Sequence, residues 1–209
     1  MKTKFYSLLF LLIQAPIFLL AQSTASYYFR ENFGSGTKRT SLPAGTTTYS
    51  FSSTNALSDG EYQLYTLTNG RPEWHASKDH TGNSNGLSMV INASYTAGEF
   101  YRDTIYNLAE KSSYNIYMYV MNVNTLGTCG TAALLPRLEI IVEAYNPATK
   151  KFLKLKSFTT NYFPQTQTTK WTYTGTSFLL PAGYTSVRYR ILNNSTGGCG
   201  NDLAIDDIT

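Results

Sequence analysis

Charge is scarce in this sequence. Asp, Glu, Lys and Arg make up 14% of its 209 residues. Without Lys2 and Lys4, which belong to a leader described below, 15 basic residues face 13 acidic ones, a net charge of +2. That near-balance argues against a nucleic-acid binder, which needs a basic stripe. Histidine and cysteine number two each, at no spacing familiar from zinc sites. No long stretch repeats its apolar residues with helical period. Only one apolar run is long, so no membrane span is expected in the body of the chain.

That run is at the start. Lys2 and Lys4 precede the apolar segment Phe5 to Leu20, and Ala21 offers a small residue before Gln22. This is the pattern of a cleaved secretory signal peptide over residues 1–21. No cysteine follows it, which argues against a lipoprotein anchor. The remainder, 22–209, has the length of one domain. Export places Cys129 and Cys199 in an oxidising compartment, where a disulfide is the natural reading; two separate thiols or an intermolecular bond are the alternatives.

Aromatics are abundant, with 17 Tyr and 11 Phe. Short segments alternate apolar and polar residues between turn signals. Candidate strands lie at 27–33, 46–51, 61–68, 87–92, 99–106, 114–121, 138–144, 152–158, 171–178, 187–191 and 203–208. In 114–121 both faces are apolar, which reads as a central strand. Asn146-Pro147-Ala148-Thr149 turns the 138–158 stretch into a hairpin. The expected fold is all-β: an antiparallel jelly-roll β-sandwich of about ten strands.

The last segment organises the rest. In Leu203-Ala204-Ile205-Asp206-Asp207-Ile208, alternation puts a carboxylate on either face. A buried carboxylate must be paired, hydrogen-bonded or metal-bound.

Three segments in order resemble the MAM domain, a jelly roll related in shape to many carbohydrate-binding modules. They are Phe29-Arg30-Glu31-Asn32-Phe33-Gly34; Trp74 with Asp79-His80-Thr81-Gly82-Asn83-Ser84-Asn85-Gly86-Leu87; and Gly200-Asn201-Asp202-Leu203-Ala204-Ile205-Asp206-Asp207-Ile208. The chain departs from that family in having two cysteines and a large insert over 37–68. Gly34-Ser35-Gly36, Arg39, Leu42-Pro43-Ala44-Gly45-Thr46 and Tyr49 also look like the amino-terminal region of surface proteins exported by type IX secretion in gliding bacteria. The carboxy-terminal sorting domain of those proteins is not in this sequence.

The MAM resemblance implies a structural cation near the chain ends, with Glu31, Asp79 and Asp206 as side-chain ligands. Calcium, a hard cation taking six to eight oxygens, suits such a set. Asp207 is the alternative to Asp206, because strand phase is not fixed by sequence. Hydrogen bonds from loop amides to these carboxylates are the competing account. Cell-surface glycans or proteins are the implied partners, with further domains expected beyond Thr209.

Other residue patterns read as structural. His75 and His80 lack an accompanying nucleophile motif, and His80 reads as a loop hydrogen-bonding residue. Glu139 and Glu143, two strand steps apart, would lie roughly 13 Å from each other, beyond the separation of paired glycosidase carboxylates. They read as a solvated sheet face. Trp74 and Trp171 read as core, and tyrosines as possible sugar platforms without a particular residue singled out. Sequons occur at Asn92 and Asn194. The functional expectation is a secreted, non-catalytic adhesion or recognition module. The rival is a carbohydrate-binding module that targets a polysaccharide-degrading enzyme.

Overall fold

A computed structural model describes residues 29–209. The expected signal peptide, 1–21, and the first residues of the expected domain lie outside them. The described residues form ten strands. They are β1 (Ser50–Phe51), β2 (Glu61–Tyr65), β3 (Ser88–Asn92), β4 (Glu99–Ile105), β5 (Ser113–Asn122), β6 (Leu138–Asn146), β7 (Lys151–Thr159), β8 (Thr172–Leu179), β9 (Val187–Asn193) and β10 (Leu203–Asp206). One sheet runs β1-β2-β3-β10-β5-β8 and the other β4-β9-β6-β7. The expected all-β sandwich is what forms. Its pairing is antiparallel except at one edge, where β1 lies parallel to β2. No helix among the described residues is long and apolar enough to cross a membrane.

Alternation builds the core between the sheets. Leu203 and Ile205 of β10 meet Met89 and Ile91 of β3, Ile116, Met118 and Val120 of β5, and Ile140, Val142 and Ile191 from the opposite sheet. All of these are buried. Each fully buried Leu or Ile contributes roughly 1.5–3 kcal/mol. The β6–β7 hairpin forms as expected. Asn146 Oδ1 caps its turn by accepting from the amides of Ala148 (2.9 Å) and Thr149 (3.1 Å).

Several expected strands are shorter than the pattern suggests: 46–51 keeps only Ser50–Phe51 and 61–68 only Glu61–Tyr65, and the first and last segments are cut short by turns of the backbone. In the first, the described part keeps one bridge, Glu31 with Ile208. Glu31 Oε1 accepts the Phe33 amide at 2.6 Å, and Phe33 takes a φ of 55°, so the chain turns away there. At the other end Asp207 has a φ of 46°. That kink ends β10 and breaks the alternation, turning Ile208 into the core on the side of Leu203 and Ile205.

The outer face of the six-stranded sheet is covered over much of its width. Val90, Ala204, Met121 and Val123 carry a second apolar cluster, closed by Leu57 and Trp74, with Trp171 packed beside it. Gly70 is required under Trp74: a Cβ there would lie 2.7 Å from its ring. The tryptophans therefore serve packing, on the outer face rather than between the sheets. Cys129 and Cys199 are bonded, joining the loop after β5 to the loop before β10.

The outer face of the four-stranded sheet is charged and internally paired. Arg188 Nη2 lies 2.7 Å from Glu143 Oε2, Arg190 and Arg102 both reach Glu99, and Ser157 donates to Glu139. Glu139 and Glu143 are sheet-face residues, as their spacing suggests.

Candidate functional site

On the outer face of the six-stranded sheet, the cover stops short of the β5/β8 edge. The residues left there are aromatic and polar. Alternation places Asn115, Tyr117 and Tyr119 of β5 on this face, opposite Ser177, Gly175 and Tyr173 of β8. The Tyr117 and Tyr173 rings stack with centroids 4.8 Å apart and planes 6° apart, and Tyr119 adjoins Tyr173 at 5.1 Å. Gly175 makes this possible: a Cβ there would sit 2.6 Å from Tyr117 Cδ1 and 2.0 Å from the Ile116 carbonyl oxygen. Ser177 Oγ donates to Asn115 Oδ1 at 2.7 Å, ending the row in a polar pair. Tyr173 is 55% exposed. The row from Tyr119 to Asn115 spans about 13 Å along β5.

His80 closes the inner end. Its ring stacks on Tyr119 at 3.4 Å and 15°. Its Nδ1 donates to Asp207 Oδ2 at 2.7 Å, since a carboxylate only accepts. Its backbone amide donates to Asp206 Oδ2 at 2.8 Å. His80 is thus a loop hydrogen-bonding residue, and it also walls one end of the tyrosine row. Asp79 shapes the loop that presents it, accepting from the Asn83 amide (2.7 Å) and Thr81 Oγ1 (2.9 Å). His75 is buried and its Nε2 lies 3.1 Å from the Thr166 carbonyl oxygen.

The three carboxylates expected to hold calcium are not brought together as one donor group. Glu31 accepts from the Phe33 amide and from the Tyr101 hydroxyl at 3.2 Å. Asp79 serves its own loop. Asp206 accepts from the amides of His80 and Asp207. Among the described residues the group with the spacing of a metal site is His80, Asp206 and Asp207. Its atoms are already engaged: the Arg30 guanidinium donates twice to Asp207 Oδ1, at 3.1 and 3.2 Å, and His80 takes Oδ2. An arginine and an imidazole N–H are poor company for a hard cation that needs six to eight oxygens. Each of these carboxylates accepts hydrogen bonds within the protein.

Two buried carboxyls are nonetheless displaced from their ordinary range. Burial pushes Asp206 up to about 7, against the His80 amide that favours its charge. Burial likewise pushes Asp202 up to about 7, although the Ala93 amide and Asn124 side chain donate to it.

The tyrosine row was only half visible in the sequence. Tyr117 and Tyr119 share a face by alternation, but apolar residues on both faces suggested burial on both. β5 is an inner strand; it is β8, at the sheet edge, that opens the face. The pattern Tyr173, Gly175, Ser177 carries the missing signal: an aromatic, a gap and a polar residue on one side.

No protein-family model matches the chain, and no curated protein matches it. Solved structures with a similar shape are β-sandwiches and chains that contain them. One is the CBM22-2 xylan-binding domain from Paenibacillus barcinonensis Xyn10C, with 13% identity, a TM-score of 0.40, and coverage of 88% of this chain and 98% of that one. Another is the Clostridium thermocellum xylanase 10B CBM22-1–GH10 structure with xylohexaose, with 16% identity, a TM-score of 0.38, and coverage of 60% and 22%. A third is the arabinose-bound α-L-arabinofuranosidase MgGH51, with 12% identity, a TM-score of 0.46, and coverage of 85% and 25%. The chain thus spans about a quarter or less of the last two. At such scores the class of the protein, a ten-stranded β-sandwich, rests on its own strand pairing.

Proposed function

We propose that this chain is an exported carbohydrate-binding module whose ligand lies along the Tyr119–Tyr173–Tyr117 row. The carrying observation is the stacked tyrosine row on an uncovered sheet edge, ending in the Asn115–Ser177 pair. A tyrosine ring offers an apolar face to sugar C–H groups and a hydroxyl to their oxygens. The row is uncharged, which suits a neutral polysaccharide rather than an acidic one. The ligand is held by stacking and hydrogen bonds, with no chemistry performed on it. Export is supported by the signal-peptide pattern of residues 1–21 and by the Cys129–Cys199 disulfide.

Affinity electrophoresis tests the reading. The protein is run through gels containing xylan, mixed-linkage β-glucan, mannan or soluble cellulose derivatives. Retardation by at least one polymer is expected, and it should be lost in Tyr173→Ala. Unretarded migration in all four, together with binding to a host or bacterial surface protein, would replace the glycan reading with protein adhesion.

A further inference from the structure

A second recess lies apart from the tyrosine row, where the disulfide holds two loops together. The loop after β5 contributes Leu134, the end of β9 and the loop after it contribute Asn193 to Thr196, and Tyr162 closes the side. The recess measures about 530 Å³, within the range of small-ligand pockets, roughly 300–1,000 Å³. Its walls are fixed by backbone contacts. The Leu134 amide donates to the Cys199 carbonyl at 3.0 Å, and the Asn201 amide to the Leu134 carbonyl at 2.8 Å. The Asn194 amide donates to the Arg137 carbonyl at 2.8 Å, and the Ser195 amide to Asn193 Oδ1 at 3.0 Å. Gly197 is forced by this packing, since a Cβ there would lie 2.0 Å from Tyr95 Cα.

The lining is chemically mixed and uncharged. Tyr162 is 55% exposed, with the Arg137 guanidinium 5.0 Å from its ring centre. Asn194, Ser195 and Thr196 supply an amide and two hydroxyls, and no hydrogen bond among the described residues uses these three side chains. An aromatic ring, an aliphatic floor and several free donors and acceptors, with no charged residue in the lining itself, match one hydroxylated ring. We propose that this recess is a second ligand site that takes a single neutral sugar unit, its C–H face on Tyr162 and its hydroxyls on Asn194, Ser195 and Thr196. It is built from segments that the tyrosine row does not use, so either site can fail without the other. Because its two walls are tied by Cys129–Cys199, it is preformed before ligand arrives, which lowers the ordering cost of binding.

The test is an NMR titration of the ¹⁵N-labelled protein with glucose, galactose, mannose, xylose, arabinose and N-acetylglucosamine in turn. Saturable shifts are expected at the amides of Leu134 and of Asn194 to Thr196 with at least one sugar. Affinity should fall at least about tenfold in Tyr162→Ala and in Ala97→Trp, which fills the recess because Ala97 also lines it, a loss of roughly 1.4 kcal/mol. It should be unchanged in Tyr173→Ala. The two pocket variants act differently, by removal and by obstruction, so one that misfolds leaves the other to decide. No saturable shift with any of the six sugars, or shifts that survive in a folded pocket variant, would overturn the proposal.

Discussion

The ring of Tyr117 lies flat against that of Tyr173, 4.8 Å away across two neighbouring strands. The two residues are not directly opposite each other: Tyr117 faces Gly175, and Tyr173 faces Tyr119. The glycine leaves room for the Tyr117 ring opposite it, as when an aromatic side chain covers a glycine in a sheet, and there that ring meets its diagonal neighbour Tyr173. The result is a continuous row from His80 to Tyr117.

Gly175→Ala should therefore act on stability and on the row at once. The added methyl would press on the Ile116 carbonyl and the Tyr117 ring. A loss of about 1–3 kcal/mol is expected, read as a lower urea midpoint with a changed near-ultraviolet tyrosine spectrum.

Stability should fall as pH rises from acid towards neutral. Asp202 titrates near 3.8 in the unfolded chain and near 7 in the folded one, because burial disfavours its charge. Between those values the folded state holds the extra proton, so that contribution is full below about pH 4 and is lost as pH passes 7. Its size is up to about 4 kcal/mol. Asp206 acts in the same direction. Asp202→Asn should flatten the slope of unfolding free energy against pH between 4 and 8, measured by urea titration; an unchanged slope would count against the buried-carboxyl account.

Calcium should leave the melting temperature unchanged, because the carboxylates at the chain ends already accept hydrogen bonds from Arg30, His80, backbone amides and a hydroxyl. A ligand specific to the folded state would raise the midpoint by mass action. Differential scanning calorimetry with calcium and with a chelator decides. A calcium-dependent rise that Asp206→Ala removes would restore the cation reading.

Opening the disulfide should loosen one end of the molecule. Cys129 and Cys199 are 70 residues apart and close a long loop. Replacing both by alanine is expected to cost about 2–4 kcal/mol. Hydrogen exchange should quicken first at the amides of Leu134 and Asn201, whose partners lie across that junction.

Much of this architecture is legible in the residues. Leu203 and Ile205, or Ile140 and Val142, alternate so regularly that their sharing of one strand face follows from period alone. The hairpin at Asn146 and the Cys129–Cys199 bond are local and compositional signals. What escaped were events set by tertiary context. Asp207 adopts a left-handed backbone that reverses the side on which Ile208 lies, and alternation cannot foresee a kink. His80 meets Tyr119 only because its loop crosses the sheet. Tyr117 and Tyr119 lie beside open solvent because β8 is an edge strand. An edge position is a property of sheet order, which strand patterns do not encode. The hydrogen-bond partners of Glu31, Asp79 and Asp206 are likewise set by tertiary context: each carboxylate accepts from donors that strand pattern does not reveal.

The central claim is that the tyrosine row binds glycan, and isothermal titration calorimetry tests it most directly. The best polymer from the gel survey is titrated into the wild-type protein, Tyr117→Ala, Tyr173→Ala and Tyr106→Ala. Tyr106 is 66% exposed and lies outside the row, which makes it the control. Each row variant is expected to bind about tenfold more weakly, roughly 1.4 kcal/mol, with Tyr106→Ala equal to wild type. Equal affinity in all four proteins would contradict the account and move the binding surface elsewhere on the sandwich.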